Sequence, residues 1–236
     1  MFRSRSGEPA AWWDLPLTLL IALVGVLLIT TFVAKPFSIP SGSMEDTLQI
    51  GDRVLVNRVV YHLRPIARGD VIVFDGAGSF SDEIAPEPRN PISAALIWVG
   101  QSFGVIAPDS TDYVKRVIGV GGDHVKCCDA QGRVTVNGTP LEESSYLYPG
   151  DLPSEFPFDV QVPAGTLWVM GDHRSNSADS RMHLGSPGGG MVPVDKVVGR
   201  TMTVLWPFTR VQALPIPDTF ASVAPPGADT AGSAGS

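Results

Sequence analysis

At 236 residues the chain has room for one sizeable domain and some appendages. With 24 acidic against 17 basic side chains and a net charge of −7, it offers no basic patch to hold phosphates, which excludes a nucleic-acid partner. Frequent glycine (25) and proline (21), with runs of valine and isoleucine, favour a turn-rich β domain over a helix bundle.

Residues 1–14 form a short N-terminal tail. From Leu15 to Ala34 the chain reads LPLTLLIALVGVLLITTFVA, without a charge, between Asp14 and Lys35. As a helix this run spans about 30 Å, the thickness of a bilayer's hydrocarbon core, which predicts a transmembrane helix over 15–34. Trp12 and Trp13 stand at its entrance, where indoles favour the interface. A cleavable leader is the competing reading. Against it, the run exceeds a usual leader core, and Phe32 occupies the −3 position of a cut after Ala34, where a small residue is needed. Arg3 and Arg5 favour a cytoplasmic N-terminus, Glu8 and Asp14 dilute that signal, and Lys35 opposes it. A single-pass anchor with its N-terminus inside places everything after Lys35 outside the cell.

Residues 35–214 read as a β-rich domain. Gly51 to Val60 alternates like a strand, Arg68-Gly69-Asp70 is a turn, and Val71-Ile72-Val73-Phe74 is a short buried strand. Residues 76–111 form an insertion containing the apolar run ISAALIWVGQSFGVIA. A strand then runs from Tyr113 to Val120. Val125 to Cys127 and Arg133 to Val136 flank a turn at Asp129–Gly132 and make a hairpin, and Asn137-Gly138 makes a further tight turn. Residues 141–159 read as a loop, Thr166 to Met170 as a strand, and Val197 to Leu205 as the last strand. Residues 215–236 have no apolar period and read as a disordered tail. The adjacent Cys127 and Cys128 leave a strained vicinal disulfide and two free thiols equally open. No motif of metal-ligand spacing occurs, so neither metal nor cofactor is expected.

Two segments carry the chemistry. Lys115 sits in the apolar stretch Tyr113-Val114-Lys115-Arg116-Val117-Ile118-Gly119. A lysine normally titrates near ~10.4, but on a buried strand it loses hydration and its pKa falls, which makes it available as a base. Just past the apolar run lies Pro40-Ser41-Gly42-Ser43-Met44, where glycine permits a tight turn that exposes a hydroxyl. Ser43 is a candidate nucleophile, with its own N–H and the Ser41 hydroxyl as candidate oxyanion donors. A third segment, Gly171-Asp172-His173-Arg174-Ser175-Asn176-Ser177-Ala178-Asp179-Ser180-Arg181, is too polar for a core strand. It reads as a loop fixed by an Asp179–Arg181 pair, with Ser177 orienting a neighbour. A second membrane crossing by the insertion would put Ser43 and Lys115 on opposite sides of the bilayer, so the insertion reads instead as an apolar flap.

PSGSM, RGDVIVF, DYVKRVIGVGGD and GDHRSNSADSR, in that order behind an apolar N-terminal run, resemble the successive boxes of the bacterial type I signal peptidases. The His-containing last box and the single anchor are most similar to the Gram-positive, actinobacterial branch. The resemblance implies a mainly β fold, an antiparallel β-sheet catalytic domain of the kind also used by self-cleaving repressors. It makes Ser43 the nucleophile and Lys115 the general base, with Ser41 and the Ser43 amide as the oxyanion hole and Ser177 hydrogen-bonded to the lysine. Asp179 and Arg181 hold the site together. The substrate would lie extended between Phe37–Met44 and Asp112–Lys115, with Asp112 and Tyr113 along its path. Ile39, Pro40, Met44, Leu48 and Val114 would line shallow pockets for small residues at −1 and −3. The implied partners are secretory preproteins delivered by the export machinery, and membrane lipid. The insertion at 76–111 and the glycine-rich stretch His183–Gly190 have no counterpart in the boxes.

Two other readings are open to the same residues. Gly100-Gln101-Ser102-Phe103-Gly104 matches the nucleophile elbow of serine esterases, yet Pro108 cuts short the helix that should follow it, and the alternating strand–helix pattern is missing. Alternatively, a non-catalytic β domain would bind signal sequences without cutting, a reading opposed by the intact Ser43 and Lys115. His62, His124, His173 and His183 sit beside no serine in a convincing motif.

Overall fold

The structure, a computed structural model, describes residues 14–28, 33–81, 90 and 111–226. The apolar run begins as helix α1 (Asp14–Leu28), and the side chains of Leu15 to Val24 are exposed. The expectation of one helix over 15–34 is corrected at its far end, because Ala34–Ser38 is strand β1. Pro36 explains the change: it disfavours the helical region for Lys35 and turns the chain extended before the first charge. No helix among the described residues is long and apolar enough to cross a membrane. At 15 residues α1 spans about 22 Å.

Two antiparallel sheets follow. The larger is built from β1, β2 (Arg53–Asn57), β3 (Val71–Asp75), β4 (Asp112–Val120), β9 (Thr166–Met170), β10 (Val192–Pro193), β11 (Val197–Trp206) and β12 (Gln212–Ala213). Its order is β1-β2-β11-β3-β4-β9-β10, with β12 beside β11. The smaller sheet has the order β7-β6-β5-β8, from β5 (His124–Cys127), β6 (Val134–Val136), β7 (Thr139–Pro140) and β8 (Phe158–Gln161). The short helix α2 (Val60–Leu63) follows β2. Asn137 and Gly138 both take positive φ in the turn between β6 and β7, the left-handed geometry that a two-residue hairpin requires. Cys127 and Cys128 are joined as a vicinal disulfide.

Strand alternation divides the core. On β3, Val71 and Val73 pack with Phe37, Ile39, Met44, Leu48, Val54 and Val56, while Ile72 and Phe74 point to the other face with Phe80, Val117, Leu167 and Val169. That double burial explains why Val71–Phe74 is a continuous apolar run. A third cluster joins the small sheet to β4 and β9 through Ile118, Trp168 and Met170, and takes in Phe220 and Val223.

Those last two residues correct the reading of a tail that is disordered from 215. A 3₁₀ helix at Asp218–Ser222 buries Phe220, whose ring stacks on Tyr146 at 6.1 Å. Asn137 Nδ2 donates to the carbonyl of Ala224 at 3.0 Å. Two large apolar anchors are enough to seat a segment whose composition is otherwise that of a linker. Residues 227–236 lie outside the described residues, as do Ser102, its flanking glycines and nearly all of the proposed flap; Gly76–Ser81 forms a turn closed by an Ala77–Ser81 bridge.

Candidate active site

β4 alternates, so Tyr113, Lys115 and Val117 share one face and Val114, Arg116 and Ile118 the other. Adjacent charges in one apolar strand are thus sent to opposite sides. Lys115 is 3% exposed, with Nζ 2.6 Å from Ser43 Oγ and 3.1 Å from the Val114 carbonyl oxygen. Burial pulls its pKa from an ordinary 10.5 down to about 8. The carboxylates of Asp179 and Asp172 pull the other way, and the Arg181 guanidinium adds to the lowering.

Ser43 lies on the turn that follows β1 and is itself buried. The turn is held from behind: the N–H of His173 donates to the Ser43 carbonyl at 3.2 Å, and that of Glu45 donates to the Gly42 carbonyl at 3.1 Å. Gly171 is the point of closest approach. A Cβ there would sit 2.5 Å from the Ser43 carbonyl oxygen and closer still to Ser177 Oγ, so only glycine fits.

The polar loop from Gly171 to Arg181 is organised by three buried arginine–carboxylate pairs. Arg181 grips Asp179 through Nε at 2.9 Å and Nη2 at 2.8 Å, and the Gly171 N–H adds a third bond to that carboxylate at 2.9 Å. Burial pushes the Asp179 carboxyl up, but the Arg181 hydrogen bonds and charge, with the Gly171 N–H, outweigh it and hold it below the usual range. Arg116, on the rear face of β4, binds Asp172 through Nε at 2.8 Å and Nη2 at 2.6 Å, and Thr47 donates to the same carboxylate at 2.5 Å. Arg174 binds Glu143 at 2.5 Å and 3.1 Å, and Tyr146 donates to Glu143 at 2.8 Å. The sequence motifs point to Asp179 and Arg181. They give no sign of Thr47 or Glu143, whose partners Asp172 and Arg174 lie 125 and 31 residues away, or of Tyr146, which donates to Glu143; the only local cue is a second charge beside Lys115.

The groups converge on a cleft of about 530 Å³ lined by Ser41, Gly42, Ser43, Tyr113, Lys115, Asn176, Ser177, Ala178, Arg181 and a wall of Glu155, Phe156 and Met182. Ser41 is exposed and Ser43 is not. Two expectations need correction. Ser177 is in the cleft, but its buried hydroxyl makes no hydrogen bond to Lys115 or to any other described group. Phe37, Ile39, Met44 and Leu48 are buried at 3%, 3%, 1% and 0% exposure in one core cluster, with Val114 packed against it. They lie beneath the cleft rather than on its surface, because β1 and the turn after it turn these apolar side chains inward against β2 and β3. Pro40 is exposed, and Asp112 and Val114 are half-buried.

One wall of the cleft is an open strand edge. β3 pairs β4 along its whole N-terminal half, from Asp75↔Asp112 to Val71↔Arg116, whereas β9 pairs β4 only from Arg116↔Met170 onward. After Met170 the chain leaves the sheet at Gly171, so the second edge of Tyr113–Lys115 faces the Ser43 turn.

The chain is similar to known proteins over most of its length. Residues 12–206 match the family model described as signal peptidase, peptidase S26. The chain is 39% identical over 234 residues to a probable signal peptidase I of Mycobacterium leprae, covering 88% of this chain and 80% of that one. It is 41% identical over 212 residues to signal peptidase I of Mycobacterium tuberculosis, covering 80% and 71%. A crystal structure of a signal peptidase I from Enterococcus faecalis covers 58% of this chain and 97% of its own at 20% identity, with a TM-score of 0.36. With a buried lysine against a serine and a family match that spans most of its length, the chain belongs to the signal peptidase family, peptidase S26.

Proposed function

We propose that this chain is a membrane-bound serine endopeptidase that removes N-terminal signal peptides from secretory preproteins, cutting after small residues at −1 and −3. The observation that carries the reading is the 2.6 Å approach of buried Lys115 Nζ to Ser43 Oγ. Lys115, lowered to about 8, is neutral in a useful fraction of molecules near physiological pH. It takes the Ser43 proton as Oγ attacks the scissile carbonyl, and an acyl-enzyme forms. The lysine, now charged, gives that proton to the leaving amine and then activates water for deacylation. The Ser43 N–H and the exposed Ser41 hydroxyl are the donors for the developing oxyanion.

The preprotein adds as a strand to the free edge of Tyr113–Lys115, across from the Ser43 turn. Beneath it Ile39, Met44 and Leu48 form a packed apolar floor with no room to yield, so only small side chains at −1 and −3 are accommodated. Asp179 and Arg181 fix the loop behind the dyad. The exposed apolar side chains between Leu15 and Val24 support an anchor in lipid. So does a second apolar surface at the other end of the β1–β2–β11 ribbon, where Ile50, Trp206, Phe208 and Val211 are 63%, 48%, 77% and 56% exposed. An anchor entering with its N-terminus inside puts the cleft on the outer face of the membrane.

The test is cleavage in detergent of a preprotein with an Ala-x-Ala site by the wild type, Ser43→Ala and Lys115→Ala. Activity confined to the wild type supports the dyad. Cleavage that survives Ser43→Ala refutes it and directs attention to Ser102.

A further inference from the structure

The cleft continues past the strand edge that meets the acyl half of a substrate, and its far wall has no part in the reaction described above. The loop of residues 153–157 forms that wall. Arg174 Nη1 donates to the Pro153 carbonyl at 2.7 Å, Ser154 Oγ donates to the Phe156 carbonyl at 2.8 Å, and the Arg181 guanidinium lies over the Phe156 ring at 6.0 Å. Two of the three arginines that organise the catalytic loop therefore also fix this wall. Glu155 projects from it, exposed, into the same cleft as Ser43 and Lys115.

The other charges lining this cleft are committed elsewhere: Arg174 to Glu143, Arg181 to Asp179, Lys115 to Ser43. Among the described residues Glu155 has no ion pair, so its carboxylate is the open charge of the cleft. We propose that Glu155 reads the charge of the first side chains after the cut, favouring a cationic residue there and disfavouring an acidic one. The inference rests on the peptidase reading of the same site. A substrate strand laid along Tyr113–Lys115 on its acyl half advances about 3.3 Å per residue, so the residues past the cut run on along the cleft that Glu155 and Phe156 wall. A solvent-facing carboxylate attracts a cation only weakly, worth roughly two- to fivefold in rate, and the effect is screened by salt.

The test uses the full chain in detergent and three preproteins with one signal peptide and one Ala-x-Ala site, carrying Lys, Gln or Glu as the second residue of the mature part. For the wild type, kcat/KM should fall in the order Lys, Gln, Glu, by about two- to fivefold per step, and the spread should narrow at high salt. Glu155→Gln should level the three, and Glu155→Lys should invert their order. Equal cleavage of all three by the wild type, or an order unchanged in Glu155→Lys, overturns the role of Glu155 and leaves the peptidase reading standing. Failure of the wild type to cut any of them overturns both.

Discussion

Replacing Lys115 with methionine should abolish cleavage and change stability in a way that depends on pH. The lysine is 3% exposed, and burial lowers its pKa from 10.5 to about 8. In the unfolded chain it returns to about 10.4, so the native state binds the proton less tightly than the unfolded state does. The wild type therefore carries a penalty that is present in full below pH 8 and fades as pH rises toward ~10.4, where the amine is neutral in both states. At about 1.4 kcal/mol per unit, the penalty is about 3 kcal/mol. Methionine fills similar space without a charge. It also gives up the bonds to Ser43 Oγ and the Val114 carbonyl, each worth about 1 kcal/mol. The variant should thus be about 1 kcal/mol more stable than wild type at pH 7 and less stable at pH 10.5. Whatever methionine does to packing cancels in that comparison, because only the lysine titrates. Urea unfolding of the full chain in detergent at pH 7, 8.5 and 10.5 measures it. A stability difference that stays constant across the three would show that Lys115 keeps an ordinary pKa and would remove the basis for its role as a base.

The same lysine sets the rate profile: kcat/KM should rise about tenfold per unit up to pH 8 and then level, and a flat profile between pH 6 and 9 would contradict it. Gly171→Ala adds one methyl against the Ser43 carbonyl and Ser177 and should lower kcat at least a hundredfold while the secondary structure, read by circular dichroism, is unchanged. Phe220→Ala should lower stability by about 3–5 kcal/mol in urea unfolding, and a midpoint equal to wild type would show that the segment after Pro215 is not part of the core.

The legible parts of this molecule are those whose information is local. Val71–Phe74 and Thr166–Met170 are apolar runs that became strands, and the alternation around Lys115 was enough to bury one charge and turn its neighbour away. What the sequence hides is long-range. Nothing near Glu143 announces that it meets Arg174, 31 residues on, and nothing in a proline- and alanine-rich segment announces that Phe220 fills a gap beside Tyr146. The burial of the residues expected to line the substrate pockets is hidden for a related reason. Met44 and Leu48 follow the polar Ser41–Ser43 turn, and only packing against β2 and β3 decides that they point inward. Ser177 lies in the cleft, but the direction of its hydroxyl depends on packing that its own segment does not encode.

Three buried arginine–carboxylate pairs around one loop are more than stability asks for, since a well-packed apolar replacement of such a pair is often neutral or better. Their common property is position. Asp172, Arg174 and Asp179 all lie on the stretch that leaves β9, where apart from one short 3₁₀ turn at Arg174–Asn176 no regular backbone pattern holds the chain, and each is tied to a partner on or beside another element or to the loop's own end. Bidentate geometry fixes direction as well as distance, and that matters for a loop that must keep the Ser43 turn, Gly171 and Ser177 in register. The distinction can be measured. Asp179→Asn alone leaves the Arg181 charge buried and should cost about 3–5 kcal/mol. Asp179→Leu with Arg181→Met should recover most of that stability in urea unfolding without recovering cleavage. A double variant that regained both would reduce the pair to a packing element, and the geometry of the catalytic loop would then have to come from Arg116 and Arg174 alone.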